Sequence, residues 1–367
     1  MRIAIIGTRG IPANYGGFET FAEEVAKRMT QKSIEVLVIG DKSLDYNKQY
    51  YIGVQIEKTK NSKPQNPIGF YRESLKKAIG WDADFILMCG VGGTMLIPFF
   101  KSKKRVIAVN PDGLGFKRDK YVWWKKAVFY SQYFAASKVS QHLVCDSIGI
   151  QTYFRKKIGR KRNSTVIEYG TYLNPFLKNK IKEDDFKKHE LAYKLNEYHL
   201  VVARLEPENN VKMIMEGFLN SDAKFPLVIV GNLNTPHSKD LIKYKSDKLH
   251  FIGGVYDREK LQLLRAGSKS YWHGHSVGGT NPSLLEAMGS ANLCVCHENI
   301  FNREVVLENG FYFENSKSAA KLFDEVEANN FQNLKNGALE RAKIYYNWER
   351  ITDMYVELAK ETTRIND

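Results

Sequence analysis

The chain has 367 residues, 43% of them hydrophobic, enough for a substantial core and, at ordinary domain sizes, for two domains. Its formal net charge of +14 is uneven: residues 1–173 hold 29 Lys and Arg against 14 Asp and Glu, whereas residues 174–367 hold 26 against 27. The absence of a run of about 18 apolar residues argues against a transmembrane helix, and the apolar part of residues 1–7 is too short for a signal peptide.

In chain order, residues 2–6 read as a buried strand, followed by the loop Gly7-Thr8-Arg9-Gly10-Ile11-Pro12-Ala13-Asn14-Tyr15-Gly16-Gly17. The periodicity then predicts an amphipathic helix over 18–29, with Phe18, Phe21, Ala22, Val25, Ala26 and Met29 on one face. Strands over 35–40, 85–89 and 105–109 and a helix over 70–79 follow. Unbroken apolar strands separated by helices predict a parallel sheet covered on both faces. After a charged passage at 178–188 the pattern restarts, with strands over 199–203, 225–231, 249–253, 269–272 and 292–296. The expected fold class is α/β: two Rossmann-like, doubly wound domains, 1–173 and 174–347, facing across a cleft at their strand ends.

Several motifs point away from particular chemistries. Gly7 and Gly10 have the wrong spacing for a dinucleotide fingerprint and Gly16-Gly17 comes too late, so hydride transfer is not expected. That loop reads instead as an open segment along a ligand, or as a strained structural loop. Asp82-Ala83-Asp84 is similar to a metal-binding Asp-x-Asp but stands at the entry of a buried strand, which makes it helix-to-strand punctuation. Cys89, Cys145, Cys294 and Cys296 sit in apolar runs and read as buried thiols of a reducing cytoplasm, with no metal expected.

Two basic clusters carry much of the charge in the first half. One interleaves Arg118, Lys120, Lys125 and Lys126 with Trp123 and Trp124; the other is Arg155, Lys156, Lys157, Arg160, Lys161 and Arg162. Amphipathic rings among lysines suit an anionic membrane surface. The alternative is a solvated face whose aromatics pack inward. No nucleic-acid module is visible.

The chemically richest stretch is residues 272–291. Gly278-Gly279 leads to Asn281, suited to a helix N-cap, and Pro282, suited to the first turn. Unpaired N–H groups at such a start favour a phosphate, and Glu286, about one turn further on, is placed to accept from two ribose hydroxyls. An ordinary loop-helix junction is the bland alternative. His273 and His275 flank the loop, as a general base or as loop packing.

These segments, together with Asn110-Pro111-Asp112-Gly113 and Ala203-Arg204-Leu205-Glu206-Pro207-Glu208-Asn209-Asn210, make the chain resemble retaining glycosyltransferases of family 4. Their fold is GT-B, and the chain is most similar to bacterial rhamnosyltransferases of capsule and cell-wall polysaccharide synthesis. The resemblance implies a second domain that binds a nucleotide-sugar donor. Arg204 would meet the diphosphate, with Asn209 beside it. Gly278, Gly279, Thr280 and Asn281 would meet sugar and phosphate, Glu286 the ribose, and the backbone at Gly253 the base. Gly16 and Gly17 would face the acceptor and the transferring sugar. Asn110 and Asp112 would join Arg204 as catalytic candidates, and a last helix over 348–367 would return to the first domain. Gly278 and Asn209 depart from the pattern, standing where the family usually has Glu and Lys.

The implied donor is dTDP-L-rhamnose, with no metal and no cofactor beyond this co-substrate. The implied acceptor is a lipid-pyrophosphate-linked saccharide, which places the protein in the cytoplasm at the inner face of the cell membrane. A UDP-hexose donor, or a GT-B partner subunit without catalysis, are the alternatives.

Overall fold

The computed structural model describes residues 1–364 except Tyr15, 119–120, 160–162 and 178–180. The chain divides into two compact units. One comprises Met1–Lys117, Tyr121–Gly170 and Trp348–Asp367; the other comprises Arg118–Lys120 and Thr171–Asn347.

In the first unit, among the described residues, eight strands form one sheet: β1 (Arg2–Ile6), β2 (Glu35–Gly40), β3 (Tyr50–Tyr51), β4 (Val54–Lys58), β5 (Phe85–Cys89), β6 (Val106–Asn110), β7 (His142–Cys145) and β8 (Ser164–Val166). Their order is β3-β4-β2-β1-β5-β6-β7-β8, parallel except for the β3–β4 pair. β1 and β5 are central and covered on both faces, which is why they read as unbroken apolar runs. The helix Gly17–Gln31 lays Phe21, Ala22, Val25, Ala26 and Met29 on the sheet. Phe18, expected on the same face, is half-buried beside Tyr169.

The C-terminal helix Trp348–Arg364 belongs to this unit. It packs Tyr355 against Phe21 at 5.1 Å, and its Glu349 accepts a 2.9 Å bond from Arg28. Asp84 accepts from the Arg2 backbone N–H at 2.7 Å, so this end of the Asp82-Ala83-Asp84 motif fastens the start of β1.

In the second unit, β9 (His199–Val202), β10 (Leu227–Val230), β11 (Leu249–Gly253), β12 (Ser270–His273), β13 (Cys294–His297) and β14 (Gly310–Phe313) form a parallel sheet in the order β11-β10-β9-β12-β13-β14. Its core gathers Val201, Leu227, Ile229, Val295 and Phe313 around Trp272, whose ring stacks on Phe323 at 3.6 Å. All four cysteines are buried and free. Strand order reverses between β9 and β12 here, and between β1 and β5 in the first unit. Loops leaving the carboxyl ends of such paired strands diverge and leave a crevice, the usual ligand position in open α/β sheets.

Candidate functional site

In the second unit the crevice is built by the loops after β9 and β12. Ser283 Oγ donates to the carbonyl of Val202 at 2.9 Å and lies 2.5 Å from Tyr271 Oη, which donates to the same carbonyl. The end of β9 therefore holds the start of the helix Pro282–Met288. Asn281 caps that helix, its Oδ1 accepting from the Ser283 N–H at 3.0 Å. The helix has only seven residues. Its start contributes a partial positive charge from the N–H groups of the first turn. A full charge for an anion comes from a side chain.

Arg204 supplies it. The residue is exposed at the start of the β9 loop, and its guanidinium has no hydrogen bond or ion pair to protein among the described residues. Asn209, expected to contact the donor, is instead buried and donates to the Arg204 carbonyl at 2.7 Å. That bond uses one of its two amide N–H groups and shapes the loop. Asn210 Nδ2 donates to the Gly274 carbonyl at 2.8 Å, and Ser276 donates both its N–H and its hydroxyl to the Glu208 carbonyl, at 3.0 and 2.9 Å. A Cβ on Gly274 would collide with the Asn209 carbonyl, so only glycine permits this approach. The two loops are thereby stitched into one piece.

Gly278 has φ of +151° with open space where a side chain would be, and Gly253, at the end of β11, also faces open space. Gly279 is half-buried and Thr280 buried. The Glu286 side chain is 48% exposed, with Oε2 2.5 Å from Nη2 of Arg265, which is buried. Arg265 fixes the carboxylate while leaving its face open to solvent. No sequence signal marks Arg265, since nothing at a motif spacing connects it to Glu286.

The histidines flanking the loop form a stack. The rings of His273 and His275 lie 4.3 Å apart and 10° from parallel. Neither nitrogen of the buried His273 has a partner, and neither does the buried Nδ1 of His275. Burial holds His273 well below the usual imidazole range. Burial, and then the positive charge of Arg204, push His275 down to about 3. Both rings are neutral near pH 7. The Glu208 side chain is also buried, with Oε2 unpartnered.

The strand ends of the first unit are arranged otherwise. Asn110 is 1% exposed; its Nδ2 donates to Tyr355 Oη at 3.2 Å and its Oδ1 accepts from the Asp112 N–H at 3.0 Å. Both ends of its amide hold the loop after β6 in shape. Asp112, held by that bond at φ of +64°, is partly exposed. Gly16 precedes the helix Gly17–Gln31 in extended conformation, and Gly17 opens it. Glu19, buried one turn in, accepts from the Arg9 N–H at 2.8 Å, and Lys63 Nζ donates to the Gly7 carbonyl. Neither Glu19 nor Lys63 was expected from the sequence; Lys63 comes from a separate connection with no motif.

Trp123 and Trp124 open the helix Trp123–Val139 and are 80% and 52% exposed, so the inward-packing alternative fails for both. Lys125 lies over the Trp124 ring, Arg118 and Lys126 are half-buried, and Arg155, Lys156 and Lys157 are exposed. Lys120, Arg160, Lys161 and Arg162 lie outside the described residues. Among the described residues, no helix is long and apolar enough to cross a membrane.

Residues 182–345 match the family described as glycosyl transferases group 1. Residues 1–69 and 70–172 match a domain of unknown function, DUF1972. No curated protein matches the chain. Among solved structures, sucrose-phosphate synthase from Thermosynechococcus elongatus is 14% identical, with TM-score 0.83 and 98% of each chain covered. HepE of Anabaena, solved with UDP-glucose, is 15% identical, with TM-score 0.75 and coverage of 98% of this chain and 100% of that one. A trehalose-6-phosphate protein from E. coli, bound with UDP-2-fluoro glucose, is 10% identical, with TM-score 0.76 and coverage of 98% and 99%. The chain has the GT-B fold, and the part of it that matches the glycosyl transferases group 1 family, residues 182–345, contains the sheet that carries Arg204 and Glu286.

Proposed function

We propose that this protein is a retaining glycosyltransferase that moves a sugar from a nucleoside-diphosphate donor, dTDP-L-rhamnose in the leading reading, onto a lipid-pyrophosphate-linked saccharide. The observation that carries the donor site is the exposed, unpaired guanidinium of Arg204 beside the open Gly278 loop, in the unit that matches the transferase family. A guanidinium fixed there stabilises the charge that grows on a departing diphosphate. In the reaction the acceptor hydroxyl attacks the anomeric carbon on the face the diphosphate is leaving. The C–O bond to phosphate breaks, and the acceptor proton passes to the departing phosphate oxygen. Glu286, steadied by Arg265, accepts from the hydroxyls of the nucleoside sugar, the 3′-hydroxyl alone in dTDP and both in UDP.

The rhamnosyl donor rests on the sequence resemblance. A second reading, a UDP-hexose donor, is favoured by solved relatives that hold UDP-glucose and UDP-2-fluoro glucose. For the acceptor, the first unit offers exposed Trp123 and Trp124 among lysines, suited to an anionic membrane surface. The test incubates the protein with radiolabelled dTDP-rhamnose or UDP-hexoses and a membrane lipid extract, then follows label into the lipid fraction. Label from dTDP-rhamnose supports the leading reading, and label from a UDP-hexose the second. If no donor labels lipid or shifts the melting temperature, the protein is a non-catalytic partner subunit.

A further inference from the structure

The two stitched loops hold one cation and, beside it, polar groups with no protein partner. Arg204 supplies positive charge at the start of the β9 loop, and Arg118 adds to the positive field at His275. His275 is its electrostatic neighbour, and no protein group among the described residues bonds either of its ring nitrogens. A buried polar nitrogen left unpaired in a folded protein is costly, and a recurrent reason for tolerating it is a ligand that completes the bond.

The ring is also placed with unusual care. The His275 carbonyl accepts from Asn299 Nδ2 and Asn302 Nδ2, both at 3.0 Å. Asn210 holds the carbonyl of Gly274 on one side, and the Glu208 carbonyl holds Ser276 on the other. His273 backs the ring face. Backbone pinned at three successive residues and a stacked ring define a pre-organised donor rather than a mobile loop side chain.

We propose that His275 is a second diphosphate-binding residue, donating a ring N–H to a phosphate oxygen of the nucleotide beside the Arg204 guanidinium. The proposal rests on the donor-site reading above. A neutral imidazole suits the place: it adds a hydrogen bond to the anion without setting a second full charge against Arg204, and the stack with His273 fixes its plane. His273, one ring deeper, is a positioning residue.

The test is titration calorimetry with UDP and dTDP, and with UMP and dTMP, on the wild type, Arg204→Ala, His275→Phe and His275→Gln. Phenylalanine keeps the ring and its stacking while deleting both nitrogens; glutamine restores an N–H. His275→Phe should weaken the diphosphates by roughly tenfold or more, with the monophosphates changed much less, and His275→Gln should recover part of the loss. An independent reading on the wild type follows imidazole ¹⁵N signals, where the His275 resonances should move with the diphosphate and much less with the monophosphate. Should His275→Phe bind the diphosphate as tightly as wild type while Arg204→Ala does not, the histidine assignment fails and the donor site stands. A wild type that binds no nucleoside diphosphate overturns both.

Discussion

The strand ends of the two units differ in how their polar groups are spent. In the first unit nearly every such group already has a protein partner. Asn110 bridges Tyr355 and Asp112, Glu19 takes the Arg9 N–H, and Lys63 binds the Gly7 carbonyl. In the second unit Arg204 stands free, His273 and His275 keep bare nitrogens, and Glu208 keeps a bare carboxylate oxygen. Side chains in the first set hold loops in shape. Those in the second are held in shape by other residues, chiefly backbone bonds from Asn209, Asn210, Asn299 and Asn302. Chemical capacity left open in a rigid frame is what a ligand site needs, so the second unit is where small changes should be felt as lost binding rather than lost stability.

The contrast breaks most sharply at Arg204. Arg204→Ala removes the unpaired cation of the β9 loop and should lower turnover by about 10²–10³-fold, the usual cost of removing a group that stabilises developing charge. Because the side chain makes no protein bond, the melting temperature should stay within a degree or two of wild type. Initial rates and a melting curve on the same preparation check both halves, and near-normal turnover would remove the donor site from this crevice. Asn110→Ala is the mirror experiment. It strips partners from a buried Tyr355 hydroxyl and from the Asp112 N–H, so unfolding in urea should show a loss of about 2 kcal/mol. A variant of normal stability with abolished turnover would give Asn110 a direct catalytic role.

Glu286→Gln tests the comparison at a site that belongs to both classes. The carboxylate is paired, to Arg265, yet it is half open to solvent. Losing its charge should raise the dissociation constant for a nucleoside diphosphate about tenfold, equal to ~1.4 kcal/mol. The free base should be unaffected, since it lacks the ribose. Equal loss for ribonucleotide and free base in calorimetry would show that Glu286 acts through the fold.

How far this division was legible in the sequence depended on the physics of each part. β1 and β5 were plain because burial on both faces leaves an uninterrupted apolar run. β3 and β8 were invisible: one is two residues long, the other is the half-exposed Ser164–Val166 at a sheet edge. The Asn281 cap and Pro282 were local and readable, and the glycine loop announced itself by composition. The helix behind them ends at Met288 with Gly289 as its C-cap. Asn209 reads as a ligand contact in a linear pattern, and only folding turns its amide back onto the Arg204 carbonyl. His275 was ambiguous for the same reason. Its carbonyl is pinned by Asn299 and Asn302, 24 and 27 residues downstream, and no periodicity reports such a pairing.

Acidity also separates the units. Seven of the eight histidines lie in the second unit's sequence, so acid stress falls there. Burial lowers His199, His273 and His275, the last to about 3, from an ordinary value of 6.5. Below pH 6.5 the unfolded chain binds protons that these folded rings refuse, so stability must fall as the pH drops from 6.5 towards 3. The slope approaches ~1.4 kcal/mol per pH unit for each such ring. Glu327, paired with His199 at 3.0 Å, is lowered from 4.5 despite its burial, by its bonds to His199 and to the N–H groups of Lys224 and Phe225. Its contribution is present above 4.5 and disappears as the pH falls through its lowered value. Urea midpoints measured from pH 7.5 to 5 should therefore decline, and His275→Phe should flatten the decline because phenylalanine has no proton to refuse. A midpoint independent of pH over that range would mean that the stacked pair opens to water in solution. The free nitrogens that set the second unit apart would then already be satisfied.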